Sequence, residues 1–532
     1  MIISNAWKLR AHLPALMAAR STVTDTSFLA PQAFRRGVPM QEYNLSMSLD
    51  ILSKPELELD VQGFEGTECI SLPFSYQVYA TTSSDTDIGS MIGERARLTI
   101  NTACGRWIAS GLCALVEELD PTISELRVLQ FVLRPRFSVT ELSIASRVYG
   151  PGQPVGVDDI VKQELNRAAI SIPAEYNLDS YPKRNYVAQY NESDFNFISR
   201  LCERNGIFYF FKQEDDGETV VFGDKNLAFP KVRFGPSAAI LYSHQRDSGT
   251  SRRIDESAIL SVRQRRVLST KTIKLRDYNE TVPSIISVDE EVGQGGGFLG
   301  QAERFGGHFA SEGEAITLAK IRAEQIGASQ TMYIAHSDAP QLRAGRIFAL
   351  QGHPRFDGEY LVVAADHSAY RPAPTGFNAL PGKGRAYYNM VHCIRSDVPY
   401  RPVAMTPVPP GVGLYSAKID GERWNERAEI DDQGRYKLQF TFADEAASKG
   451  LGSDYVRKLE PYAGPSETGL HFPLVAGTEV LVGYINGDID RPVVVGAVHN
   501  PDMKGVVTSE THLFNRIKSQ SGASIEIFDG PA

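Results

Sequence analysis

Few residues in this chain of 532 combine the type and spacing that chemistry needs. Gly295-Gly296-Gly297-Phe298-Leu299-Gly300 matches the glycine pattern of a dinucleotide loop, where backbone must approach a pyrophosphate closely. Its setting argues against that role, because Asp289, Glu290 and Glu291 precede it and more loop follows, not a tight strand-to-helix passage. Asp488 and Asp490, in Gly487-Asp488-Ile489-Asp490-Arg491-Pro492, could offer carboxylates to a cation, but a calcium loop needs more oxygen ligands at regular spacing. The same residues read as a turn: Asn486-Gly487 reverses the chain, the aspartates bond backbone amides, and Pro492 stops a helix. His353 and His367 lack a second ligand at metal spacing and read as structural. The chain has no Gly-x-Ser-x-Gly elbow, no His-Glu-x-x-His and no phosphate loop ending in Gly-Lys-Ser/Thr. Asp and Glu are too plentiful for counting to single out a catalytic pair. The expectation is a protein without catalytic residues, cofactor or metal.

The elements that would position such residues are mostly strands. After Met40 the chain alternates through Tyr43 to Leu49, then Leu57, Leu59 and Val61, with further apolar segments at Phe74–Tyr79, Ala96–Ile100, Leu112–Val116 and Val128–Leu133. Turn residues interrupt them, giving a barrel or sandwich rhythm. Val157–Leu165 predicts a short amphipathic helix. From Tyr190 the reading is denser. Asn191 or Ser193 can cap a helix, and Glu192 and Asp194 place negative charge at its positive end. Phe195, Ile198, Leu201 and Cys202 share one face, with Arg200, Glu203 and Arg204 away from it. Gly206 stops the helix, and Ile207–Phe211, Asp215-Asp216-Gly217 and Thr219–Phe222 form a hairpin. Ser311 to Glu314 has capping-box spacing and opens a helix carrying Ala315, Leu318, Ala319, Arg322 and Ile326 before Gly327. Tyr400–Gly411 is a proline-rich, stiff linker. Short strands follow at Gly413–Ile419, Tyr436–Phe440, Glu479–Tyr484 and Pro492–Gly496, a spacing that fits a small closed barrel of the OB type.

Hydrophobic content of 42% and charged content of 22% are ordinary for a globular protein, and the length suggests several domains. The net charge of −9 argues against nucleic acid as a partner, because phosphate neutralisation needs clustered cations. Arg263, Arg265 and Arg266 alternate with Val262, Gln264 and Val267 and read as the exposed face of a strand. Cys69, Cys104, Cys113, Cys202 and Cys393 include no Cys-x-x-Cys pair and read as buried thiols of a reducing cytoplasm. Lys8 and Arg10 before Leu13–Ala19 superficially suggest a secretory signal, but His12, Pro14 and Arg20 interrupt it. No stretch approaches a membrane span in length.

Tyr190, Glu192, Ser193, Asp194, Phe195, Arg200, Leu201, Glu203, Gly206, Ile207, Tyr209 and Phe210 resemble the pattern of the VgrG family, spike proteins of type VI secretion related to the hub and spike of contractile phage tails. Beyond the linker, Tyr455, Arg457, Gly464, Gly469, Pro473, Gly477, Gly487, Asp488, Asp490, Arg491, Pro492 and Gly496 resemble that family's OB domain. The resemblance implies a mainly β fold with a few helices: an α+β hub of barrel-like domains, an OB-type barrel, and the start of a trimeric β-helix stem. It assigns 1–37 to an N-terminal extension, 38–170 to a first hub barrel region and 171–398 to a second hub region with helix-hairpin units. A linker (399–411), an OB spike domain (412–505) and a neck with the start of the stem (506–532) follow. Ile525, Ile527 and Phe528 alternate in a lone strand that needs partners, and three copies winding together would supply them. The chain stops at Ala532, so the long stem and any enzyme domain beyond it are expected to be absent.

The resemblance further implies a homotrimer on a hexameric Hcp-type tube, surrounded by baseplate components, with a PAAR-repeat protein and effectors at the tip. Such a protein is assembled in the bacterial cytoplasm and leaves through the machine, without a signal peptide, crossing the target membrane transiently. The spike of a phage tail or extracellular particle is the near alternative. An OB-fold binding module or an envelope hydrolase are alternatives of other classes.

Overall fold

The computed structural model describes residues 45–102, 105–119, 126–234, 237–243, 257–280, 283–371, 387–421, 423, 426–443 and 450–530. The N-terminal extension 1–37, with Lys8, Arg10 and the apolar run after them, lies outside these residues, as do Tyr43 and Cys104. The chain forms two compact units that do not follow chain order. The first takes in the described residues to Thr140, Glu164–Asp179 and Ser199–Thr406; the second takes in Glu141–Gln163, Ser180–Ile198 and the residues from Pro407 onward.

In the first unit, alternation produces curved strands with one face inward. β1 (Ser46–Ile51), β2 (Asp60–Cys69), β3 (Leu72–Thr82), β4 (Arg95–Thr102), β5 (Gly105–Leu119) and β6 (Arg127–Arg134) pair in the order β1-β4-β5-β6-β3-β2, and β1 pairs back onto β2. Met47, Leu49 and Ile51 point inward from β1, and Ala96, Leu98 and Ile100 from β4. Leu57, expected on a strand, sits in the turn before β2, where it is nonetheless buried.

In chain order, the strands of this ring and those of a second one are separated by β7 (Ile144–Tyr149), helix α1 (Val157–Arg167), β8 (Ala174–Asn177), β9 (Val187–Ser193), helix α2 (Asp194–Asn205) and the hairpin β10 (Phe208–Glu214) with β11 (Gly217–Gly223). The second ring uses β12 (Ala239–Tyr242) and β13 (Ala258–Arg266), interrupted by a small sheet of β14 (Thr272–Asn279), β15 (Ser284–Glu291) and β16 (Gln301–Phe305) and by helix α3 (Glu312–Gln330). It resumes with β17 (Thr331–Ser337), β18 (Ile347–Gln351), β19 (Gly358–Tyr370) and β20 (Tyr388–Arg395). These pair as β19-β18-β12-β13-β17-β20, and β20 closes onto β19. Counted from its own first strand, the second ring has the same cyclic order as the first. The difference is polarity: β1 is antiparallel to both neighbours, whereas the four-residue β12 is parallel to both. Pairing of β2 with β19 from Gly63/Tyr370 to Cys69/Ala364 joins the rings into one twelve-stranded sheet.

Helix α3 begins as its sequence predicts: the Ser311 hydroxyl accepts from the Glu314 amide, and the Glu314 carboxylate accepts from the Ala310 amide. It does not stop at Gly327. Ala328 and Gln330 are buried, and tertiary packing carries the last turn past a residue that costs only about 1 kcal/mol in a helix. The glycine-rich stretch Gly295–Gly300 joins β15 to β16 as loop, so it leads into a strand and not into a helix.

The core of the second unit is a small barrel of β21 (Tyr415–Ile419), β22 (Leu438–Phe440), β25 (Glu479–Tyr484) and β26 (Pro492–Ala497), in the order β22-β21-β25-β26. Bridges from Tyr436 to Val456 and from Lys458 to Val494 close the ring through the segment between them. A short pair, β23 (Ala463–Gly464) and β24 (Thr468–Gly469), and a terminal hairpin, β27 (Phe514–Lys518) with β28 (Ser524–Phe528), complete the unit.

Candidate functional site

Three features stand out as candidates for what this architecture does: a buried polar seam, the signature residues, and the terminal hairpin. The seam lies where the two rings of the first unit meet. Glu68 on β2 accepts from Arg343 Nε at 2.8 Å, from the Ala344 amide at 3.0 Å, and through short contacts from Arg343 Nη2 and the Tyr76 hydroxyl. Arg343, in the turn before β18, also donates to the Ile108 carbonyl at 2.7 Å and lies 4.8 Å from the centre of the Trp107 ring. His367 on β19 shares a 2.6 Å hydrogen bond with the Tyr387 hydroxyl, which accepts from Asn389 Nδ2. His367 Nε2 stands 3.9 Å from Glu68.

Every member is buried, with Tyr76 and Asn389 at 0% exposure. Burial alone would raise the Glu68 carboxyl, but the Arg343 charge beside it, with the hydrogen bonds of Arg343 and Tyr76, holds it down to about 2. Burial also pushes His367 down to about 4, so the imidazole is neutral near pH 7. The glutamate is held by four donor contacts from Arg343, Tyr76 and the Ala344 amide, an arrangement suited to holding two barrels in one register. His367, read as structural from the sequence, is buried in this network. Glu68, Tyr76 and Arg343 gave no sequence signal, because nothing local distinguishes a Glu and an Arg 275 residues apart that will pair.

Among the signature residues, Ser193 and not Asn191 caps α2, its hydroxyl accepting from the Asn196 amide at 3.1 Å. Asp194 is buried and accepts from Arg147 and from Gln189 at 2.9 and 2.8 Å. Glu192 is buried and Phe195 half-buried, while Phe197, absent from the expected face, is fully buried against Tyr149. Leu201 and Cys202 face inward as expected, but Arg200 and Glu203 are buried too, at 7% and 8% exposure. The physical reason for Glu203 is a set of backbone donors: its carboxylate accepts from the amides of Met405 and Thr406 and from the Thr406 hydroxyl. Gly206 adopts φ +71°, and a Cβ there would lie 3.0 Å from side chains of Arg401 and Ile321. Tyr209 on β10 is buried against Phe137 and Phe222.

In the second unit, Gly487 has φ +71° and the Asp488 carboxylate accepts from the Asp490 amide, which makes the expected turn. Asp490 accepts from the Ala188 amide at 2.7 Å, pinning β9 to this loop. Tyr186 and Ala188 share a core with Phe440, Val480 and Val494, and Tyr190 packs edge-on against Tyr415. Arg491 is buried, and Pro492 opens β26. Ile525, Ile527 and Phe528 lie on β28, which pairs with β27 alone, and they are 59–61% exposed. Cys113, Cys202 and Cys393 are buried, whereas Cys69 is partly exposed because it ends β2.

Residues 67–373 match the family described as the phage tail baseplate hub (GPD). The chain belongs to this hub family. Residues 426–499 match the OB domain of type VI secretion and phage-baseplate injectors, so hub and OB domain occur in one chain, as in the VgrG proteins that both signatures resemble. The hub's relatives carry that name. It is 26% identical to type VI secretion system spike protein VgrG1b of Pseudomonas aeruginosa over 84% of this chain and 59% of the relative. To VgrG3 of Vibrio cholerae it is 25% identical over 88% of this chain and 47% of the relative. The chain therefore spans about three-fifths or less of these proteins. Among solved structures, E. coli c3393 is described as a type VI secretion component similar to the T4 tail proteins gp27 and gp5. It aligns with TM-score 0.60 and 21% identity over 85% of this chain and 100% of its own. A chain of the half-lidded Francisella PdpA–VgrG complex aligns with TM-score 0.58 and 9% identity over 98% of this chain and 89% of its own. These two likenesses concern the fold. Among the described residues no helix is long and apolar enough to cross a membrane.

Proposed function

We propose that this hub chain assembles as a homotrimeric spike at the tip of a contractile injection machine of the type VI kind. The observation that carries the reading is the pair of closed six-stranded rings with one cyclic order, joined by β2 and β19. Three such chains would present six similar rings, a base suited to a hexameric Hcp-type tube. The exposed Ile525, Ile527 and Phe528 would begin a stem, since an isolated hairpin is marginal in water and three copies could cover one another. The tapered end would meet a PAAR-repeat tip protein and effectors, and the assembly would puncture the target envelope after export from the cytoplasm. The divisions at 38–170, 171–398, 412–505 and 506–532 describe its hub, spike and stem regions, with 399–411 as linker.

Its work would be mechanical. The relatives are named as spike proteins, and the Glu68 carboxylate of the polar seam is engaged by Arg343, Tyr76 and the Ala344 amide. A trimer that survives contraction needs interfaces on the order of 2,000 Å² per subunit pair. Light scattering of the chain should therefore give the mass of a trimer at micromolar concentration, and electron micrographs a short threefold particle with a broad base. A stable monomer would overturn the reading. Because the matching hub family is described from phage tails, a phage-like particle is the second reading; co-purification with phage-type tube proteins instead of an Hcp-type tube would favour it. Release of peptidoglycan fragments by the purified chain would contradict the mechanical role.

A further inference from the structure

The first unit contains a cavity of about 70 Å³ that its structural role does not use. At roughly 10–15 Å³ per water on this measure, that is space for about five waters or one molecule of about six to eight heavy atoms. Leu72, Met332, Val363 and Ile394 supply an apolar wall, and the strap from Tyr400 to Met405 closes one side. The strap is firmly held: Arg401 pairs with Glu324 at 2.7 Å, and Gln325 donates to the Pro402 carbonyl at 2.6 Å.

Two of the polar groups that line the cavity have capacity for a ligand hydroxyl. Glu203 lines the cavity, and among the described residues its Oε1 accepts from the Thr406 hydroxyl alone, while Oε2 takes two amides; a carboxylate oxygen has room for a second donor. Tyr400 also lines the cavity, and among the described residues no group hydrogen-bonds its hydroxyl. Burial, then the neighbouring Cys69 and Glu203, push that phenol well above its ordinary range, so it stays protonated and able to donate. A chamber with an apolar wall, whose lining includes a carboxylate with spare acceptor capacity and a buried hydroxyl alongside Ser71, Gln325, Ser329, His392 and Arg401, has the makeup of a small-ligand site.

We propose that this cavity binds a small amphiphilic alcohol or phenol, its hydroxyl donating to Glu203 and accepting from Tyr400, its carbon skeleton against Met332 and Ile394. Occupancy would brace the strap from inside. The probe is 4-fluorophenol, followed by fluorine NMR on the full chain, with phenol as competitor. A saturable shift reversed by phenol is expected, with slower amide exchange at Met405 and Thr406. Ala328→Leu fills the cavity and should weaken binding by at least about tenfold. Tyr400→Phe keeps the volume and should weaken it by about threefold to tenfold through loss of one hydrogen bond. Non-saturable broadening, or unchanged affinity in a folded Ala328→Leu chain, would overturn the proposal. Should Ala328→Leu fail to fold, unchanged affinity in Tyr400→Phe would overturn it alone.

Discussion

The seam between the two rings and the terminal hairpin are both made of β-pairing, yet they solve opposite problems. At the seam, β2 and β19 each find partners on both edges, and the charges above them are paired and out of water. In the hairpin, β27 and β28 have only each other, and all five residues of β28 are exposed. A pairing that closes within one chain can spend its buried positions on polar specificity. One that does not close leaves apolar side chains for another copy. In the proposed trimer, the seam would be the part complete within one chain and the hairpin the part completed by other copies.

The sharpest way to break the contrast is at the ion pair. Arg343→Met should cost about 3–5 kcal/mol in urea unfolding, because it leaves the Glu68 carboxylate buried without its cation. Glu68→Gln with Arg343→Met together should recover much of that loss. Acid should act on the same seam. The unfolded chain takes up a proton on His367 near pH 6.5, whereas the folded chain resists until about pH 4, so stability falls as pH drops between those values, by on the order of 3 kcal/mol. Glu68 adds a second loss between its unfolded value near 4.5 and about 2, where its carboxylate finally protonates. A His367→Phe chain should lose the first step of a pH–stability profile and keep the second. Next in size, Gly66→Ala should cost about 1–3 kcal/mol, since a Cβ there would lie 2.1 Å from Tyr76 in the network. Ser193→Ala removes the cap of α2 and should cost about 1 kcal/mol by thermal or urea unfolding. The smallest effect on a chain's own stability is expected at the hairpin. Ile525→Ser with Ile527→Ser should change it by no more than about 0.5 kcal/mol, while the mass seen by light scattering falls toward that of a monomer.

Much of the fold was legible because its signals are local. The Ser311–Glu314 box starts a helix where its spacing says, Gly206 takes the positive φ that ends α2, and Glu479–Tyr484 is a strand with the bounds its alternation suggests. The misreadings also have particular causes. Arg200 and Glu203 were placed on a solvent face because helix periodicity sorts residues by polarity, and polarity carries no record of the Met405 and Thr406 amides waiting for a carboxylate. Gly327 reads as a stop, but burial of Ala328 and Gln330 outweighs one glycine.

The family, the mainly β class, the caps and turns, and the apolar tail of the hairpin can be read from the residues alone, because each depends on positions a few apart. That β1 meets β2 and β20 meets β19 to close two rings of one order, and that Glu68 finds Arg343, emerges from the folded chain. Those outcomes depend on which strand edges come together across hundreds of residues, and a strand's alternation states which face is buried without stating against whom.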